Sequence, residues 1–194
     1  MKVLVACEFS GRVREAFAKL GHDAWSCDLL PTETQGQHIV GDVLPILSWG
    51  WDLLIAHPPC TALTVSGNRY YAHRPDLIEE AFLFVMHFAL ANIEHIAIEN
   101  PVGRLSTLWR KPDQWIQPWQ FGHPESKKTG LWLKNLPLLQ PTNVLELPEC
   151  GYWENQTPSG QNKLGPSKDR WKDRSRTYQG IAEAMATQWG SLPV

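Results

Sequence analysis

Short apolar runs alternate with stretches of helical periodicity over the first hundred residues of the chain. Residues 2–7, 23–28, 52–56 and 95–99 are apolar runs of strand length, bounded by turn-forming residues, and read as buried strands of a parallel sheet. Between them, residues 11–20 set Val13, Ala16, Phe17 and Leu20 on one face of a helix, and residues 76–92 carry a second helical pattern. Such alternation predicts an α/β fold with a mostly parallel, doubly wound sheet. Past residue 108 the pattern changes. Trp and Pro crowd residues 109–119, an apolar run at 130–133 reads as a strand, a polar stretch fills 141–176, and a final helix is expected over 178–189.

Composition narrows the class. A chain of 194 residues with 43% hydrophobic content fits one domain spanning 1–194, in which 134–175 is a short loop region. No apolar run reaches the roughly 18 residues that span a bilayer. Residues 2–7 lead into a strand instead of a cleavable signal, so the expected location is the cytoplasm. Cys7, Cys27, Cys60 and Cys150 show neither CxxC spacing nor a neighbouring histidine pair, which predicts free thiols, no metal site and no disulfide. A formal charge of −2 denies the protein a global basic field, so any nucleic-acid contact must come from a local patch.

The candidate chemistry lies at strand ends. Pro58-Pro59-Cys60 places a thiol just past the strand at 52–56, where ligands bind in open α/β sheets; a buried, inert thiol is the competing reading. Cys7-Glu8-Phe9-Ser10-Gly11 joins the first strand to the first helix, and a glycine in that turn lets backbone approach a ligand closely. Asp28, at the end of the second strand, suits ribose hydroxyls or simply caps the loop before Pro31, and Asp42 offers a further polar contact near a purine. Glu99 and Asn100 follow the strand at 95–99, and Lys127 belongs to a cationic loop over 121–129.

The order of these clusters resembles the C5-cytosine DNA methyltransferases that use S-adenosylmethionine. Phe9-Ser10-Gly11 is similar to the family's Phe-x-Gly-x-Gly cofactor turn, Gly41-Asp42-Val43 to its third motif, and Pro59-Cys60-Thr61-Ala62-Leu63-Thr64-Val65-Ser66-Gly67 to its Pro-Cys-Gln-x-Phe-Ser-x-x-Gly loop. Glu99-Asn100 stands where the family has Glu-Asn-Val. Gly122-His123-Pro124-Glu125-Ser126-Lys127-Lys128-Thr129 resembles Gly-x-Pro-Gln-x-Arg-x-Arg, and residues 180–186 resemble the closing helix. Val13, Thr61, Lys127 and Thr129 depart from the pattern, and residues 134–175 occupy the place of a much larger target-recognition region. The likeness is to short, phage-type members.

The resemblance implies a Rossmann-like S-adenosylmethionine-dependent fold, with cofactor contacts from Phe9, Ser10, Gly11, Asp28, Asp42 and Pro58. It implies covalent catalysis on cytosine: a Cys60 thiolate of lowered pKa adds to C6, a protonated Glu99 donates to N3, Asn100 pins the Pro59-Cys60 backbone, and Lys127 reaches O2. A duplex substrate requires base flipping. Thr61, Thr64, Ser66, Asn68 and Arg69 are then expected against the nucleic acid, with Lys168, Arg170 and Lys172 on phosphates; an ordinary exposed loop is the competing reading of 61–74. DNA is the expected partner, and the short recognition segment leaves room for a partner subunit. Two alternatives remain: the same chemistry on a free or single-stranded cytosine nucleotide, and a non-catalytic nucleic-acid-binding relic of the fold.

Overall fold

The computed structural model describes residues 1–159, 162–165 and 167–193, and Asn68 by its backbone alone. Among these residues the strands are β1 (Lys2–Ala6), β2 (Asp23–Asp28), β3 (His38–Val40), β4 (Leu53–Ala56), β5 (His95–Pro101), β6 (Gln114–Ile116) and β7 (Thr129–Lys134). They form one sheet in the order β3-β2-β1-β4-β5-β7-β6. β1 to β5 are mutually parallel, while β7 runs antiparallel to both β5 and β6. The helices are α1 (Arg12–Lys19), α2 (Asn68–Tyr71), α3 (Pro75–Ala89), α4 (Leu105–Leu108), α5 (Arg170–Ser175) and α6 (Gln179–Trp189). None is long and apolar enough to cross a membrane among the described residues.

The central strands β1 and β4 are apolar on both faces because both faces are covered. In β1, Val3 and Val5 join a core with Phe17 of α1 and Met185 and Trp189 of α6, whereas Leu4 and Ala6 join a second core with Val85 and Phe88 of α3. Period-two alternation thus sends successive side chains into opposite layers, giving a doubly wound, Rossmann-like architecture.

The departures from the sequence reading have local causes. β3 and β6 are three residues each, too short to show a period. β5 runs past residue 99 because Asn100 and Pro101 still pair with Gly130 and Thr129 of β7. α3 begins on Pro75, whose missing N–H costs nothing in a first turn. The stretch 141–176, read as a polar loop, contains α5, in which no residue is buried and no apolar stripe exists to betray a helix. Much of the rest folds back on the domain: Trp153 stacks on Trp119 at 6.1 Å and 11°, and Asn155 exchanges hydrogen bonds with the backbone of Ser126 at 3.0 and 2.9 Å.

Candidate active site

Since β1 to β5 are parallel, their carboxyl ends open along one edge of the sheet. Phe9, Ser10 and Gly11 follow β1, Asp28 ends β2, Asp42 follows β3, Pro58 and Cys60 follow β4, and Glu99 with Asn100 lies at the end of β5. Residues far apart in sequence are thereby gathered on one side.

The Cys60 turn is held from two directions. Its carbonyl accepts hydrogen bonds from the N–H groups of Leu63 and Thr64, both 2.9 Å, so the chain reverses immediately after the thiol. Arg104 N–H donates to the Leu63 carbonyl at 2.7 Å, and a Cβ on Gly103 would stand 1.9 Å from that same oxygen, so only glycine permits the approach. Asn100 is buried and its Nδ2 donates to the Pro58 carbonyl at 3.4 Å. The amide expected to pin Pro59-Cys60 therefore holds the backbone one peptide earlier.

Cys60 itself is partly buried. Burial pushes its thiol up, the Lys127 ammonium pulls it down, the Glu99 carboxylate pushes it up again and Arg174 pulls it down; the balance is upward. The expectation of a lowered thiol pKa is thus corrected for this arrangement: the nearby cations do not outweigh desolvation and the Glu99 charge. Lys127 donates through Nζ to the Arg174 carbonyl at 2.8 Å. Its loop is clamped to the start of α6, where Tyr178 donates its hydroxyl proton to Glu125 at 2.6 Å and Gly180 N–H donates to His123 Nε2 at 2.9 Å.

A second correction concerns Glu99. Burial pushes its carboxyl up, but the hydrogen bond from His57 Nδ1 at 2.7 Å, the charge of that imidazole and the charge of Lys127 together hold it well below the usual carboxylate range. Glu99 is an ionised partner of His57, not the neutral acid that burial alone would produce. For His57 the balance also favours charge: burial disfavours the imidazolium, yet the hydrogen bond and charge of Glu99 and the charge of Glu8 raise its pKa against repulsion from Lys127. Sequence reasoning missed His57. The signal available was a histidine directly before the Pro-Pro at a buried strand's end.

The cofactor half is built differently. The Glu8 carboxylate turns into the first turn of α1, accepting from Val13 N–H at 2.7 Å, Arg14 N–H at 3.2 Å and the Ser10 hydroxyl at 3.3 Å. It caps the helix, since Gly11 has no side chain to do so. Ser10 is buried in this arrangement, and Gly11, with φ +73°, leaves room for the chain's own Thr34 hydroxyl. Both therefore shape the turn from inside instead of facing an open pocket. Phe9 is 6% exposed beneath Trp171 of α5, ring centroids 6.1 Å apart, and beneath Arg176, which forks onto Glu33 at 2.8 and 2.6 Å.

Asp28 and Asp42 remain outward. One oxygen of each accepts from its own loop, from Leu30 N–H and Leu44 N–H at 3.0 Å, leaving the other without a partner among the described residues. Both charges act on Cys7, whose thiol is pushed up first by burial, then by Asp28, Cys27 and Asp42. Cys7 also holds φ +58°, so the exit of β1 is a bent backbone flanked by two carboxylates.

The expected nucleic-acid residues divide. Thr61, Ser66 and Arg69 are exposed. Thr64 is 7% exposed and its hydroxyl accepts from Gly67 N–H and bonds Ser66, both at 3.1 Å, so it braces the loop and is corrected from a residue facing nucleic acid to a turn residue. The side chain of Asn68 lies outside the described residues. Lys168 is exposed and Arg170 and Lys172 are half exposed, on or beside α5, which adjoins both Phe9 and Lys127.

No protein-family model matches the chain, and no curated protein matches it. Among solved structures, a candidate DNA modification methyltransferase encoded within an E. coli prophage is similar at 15% identity and a TM-score of 0.46, covering 74% of this chain and 51% of its own. A mutant of Spodoptera frugiperda DNMT2 is similar at 18% identity and a TM-score of 0.42, covering 76% of this chain and 55% of its own. The chain thus spans about half the length of the solved structures it matches.

Proposed function

We propose that the chain transfers a methyl group from S-adenosylmethionine to C5 of cytosine in DNA, through a covalent adduct of Cys60. The observation that supports this most directly is the meeting of thiol, carboxylate and ammonium at the ends of β4 and β5: Cys60 feels the charges of both Lys127 and Glu99, over a backbone that Asn100 ties down. Cytosine C5 needs activation by a nucleophile at C6, and a thiol beside a cation and a proton-handling carboxylate can supply it. When bound, S-adenosylmethionine supplies an electrophilic methyl group. The free oxygens of Asp28 and Asp42 fit its ribose hydroxyls and amino group, and their charge fits its sulfonium. Glu8, by occupying the α1 terminus, disfavours a pyrophosphate-bearing cofactor there.

The chain's own residues then divide the work. Cys60 adds to C6, Glu99 and its proton partner neutralise charge reaching N3, and Lys127 lies within reach of the pyrimidine edge. Because burial holds the resting thiol up, its proton must leave as the base binds, with the charge of Lys127 favouring the thiolate. A second reading, the same reaction on single-stranded or free cytosine nucleotides, draws support from the shortness of residues 134–175, of which Trp153 and Asn155 pack back on Trp119 and Ser126.

Labelled S-adenosylmethionine offered with duplex DNA, single-stranded DNA, RNA and cytidine nucleotides separates these readings. Cys60→Ser should lower turnover by several orders of magnitude while leaving folding and cofactor binding intact. Wild-type protein should be trapped on 5-fluorocytosine DNA; transfer by Cys60→Ser at the wild-type rate would end the covalent mechanism.

A further inference from the structure

One buried side chain at the carboxyl edge has been given no role of its own beyond pairing with Glu99. His57 follows β4 directly, 10% exposed, with Nδ1 2.7 Å from Glu99 Oε2, itself on a side chain 15% exposed. Glu8, in the turn after β1, acts on the ring through its charge, although burial pushes its own carboxyl up and its oxygens are committed to Val13, Arg14 and Ser10. Lys127, from the loop before β7, is the cation that opposes the imidazolium. Nε2 is buried with no hydrogen-bond partner among the described residues, so the ring's one hydrogen bond is the one it makes to Glu99.

We infer that His57 is a positioning residue whose imidazolium stores the proton that Glu99 relays to N3 of the bound cytosine. The inference rests on the cytosine reading above and deepens it. The Glu99 carboxylate meets the imidazole directly at 2.7 Å, an arrangement in which a proton on the ring leaves Glu99 ionised at lower cost than a buried anion beside a neutral ring. The hydrogen bond also orients Glu99, which lines a crevice with Lys127, Thr129 and Tyr178. Without His57, Glu99 loses both the hydrogen bond that orients it and the neighbour that supplies its proton.

The step balances. Cys60, having given its proton to water, forms the C6–S bond; the C5–C6 π pair moves to C4–C5, and the C4–N3 π pair takes a proton at N3. That proton passes from Nδ1 to Glu99 and from Glu99 to N3, so N3 gains what His57 loses and the pyrimidine adduct is neutral. Once the C4–C5 π pair has taken the methyl group, with S-adenosylhomocysteine leaving, elimination of the thiolate returns the N3 proton along the same path, while the C5 proton leaves to water.

Two measurements on the full chain test this. In wild-type protein carrying ¹⁵N-histidine, the His57 ring should titrate above the ordinary value of about 6.5, and Glu99→Gln should bring it down. In transfer assays the wild-type rate should fall as His57 deprotonates, whereas His57→Asn should be slower by about 10²–10⁴-fold, with that limb of the pH profile gone and thermal stabilisation by S-adenosylhomocysteine retained. A wild-type His57 that titrates at or below its ordinary value overturns the proposal even if every variant fails to fold. So does a His57→Asn protein with wild-type rate and pH profile. A raised His57 in a protein that methylates no cytosine substrate overturns the relay to N3 through the failure of the functional reading, with the proton's location upheld.

Discussion

The ends of β4 and β5 and the ends of β1 to β3 make one continuous edge, yet they treat charge in opposite ways. At β4 and β5 the ionisable groups are buried and mutually compensated, with His57 hydrogen-bonded to Glu99 and the charge of Lys127 acting on both Cys60 and Glu99. At β2 and β3 the carboxylates of Asp28 and Asp42 are left half bonded and more open to solvent. A paired, desolvated array fixes geometry before the substrate arrives, which covalent chemistry requires. An open acidic rim instead leaves its pairing to a ligand. The difference suits a division between reaction and binding.

The contrast is broken most strongly by removing one partner from the buried side. Glu99→Ala strands the His57 imidazolium and should destabilise the fold by about 3–5 kcal/mol, whereas Asp28→Ala and Asp42→Ala should each change it by about 0.5 kcal/mol or less. Urea unfolding of the three variants checks this; equal effects would erase the distinction.

On the open side, a ligand should do what the protein does not. S-adenosylhomocysteine at about a hundred times its dissociation constant should add about 2.7 kcal/mol to wild-type stability. The Asp28→Ala and Asp42→Ala proteins should lose much of that gain in thermal melts without losing apo stability.

The pH dependence should carry the mark of the buried pair. Glu99 is depressed, so its contribution is present above the unfolded value of about 4.3 and disappears as pH falls through the lower folded value. His57 is raised, so its contribution is complete below about 6.5 and disappears as pH rises through the higher folded value. Urea midpoints measured across pH should therefore show stability from this pair greatest between about 4.5 and 6.5, and Glu99→Gln should flatten both limbs. Asp28→Ala should leave them in place.

The smallest effect is expected outside both regions, on α5. Lys168, Arg170 and Lys172 pair weakly, Lys172 reaching Asp169 only at 4.0 Å. Neutralising all three should cost almost no stability, yet lower the salt slope of duplex binding by about 0.9 for each phosphate that no longer meets a cation. Unchanged binding by the triple variant would remove α5 from the interface.

Much of the edge was legible in the chain because strand ends are marked locally. Apolar runs closed by Cys7-Glu8, Asp28, Pro58-Pro59 and Glu99-Asn100 show where β1, β2, β4 and β5 stop, and parallel connection puts those stops on one side. β3, β6 and α5 were not legible, since each is too short or too polar for its own periodicity and exists through what it pairs with or covers.

Residue types and their order along the chain thus determined the α/β class, the doubly wound sheet and the candidate nucleophile, all properties of spacing and hydrophobic period. Only the tertiary structure decided the ionisation of that site. Protonation depends on distance and burial, and no spacing in sequence brings His57 to 2.7 Å from Glu99, forty-two positions away, or sets Glu8 behind it. The same holds for Thr64, suited by composition to face nucleic acid, whose hydroxyl is spent on Gly67 and Ser66 inside the loop. Hydrogen-bond partners across a fold are chosen by packing, and packing is where one-dimensional reading ends.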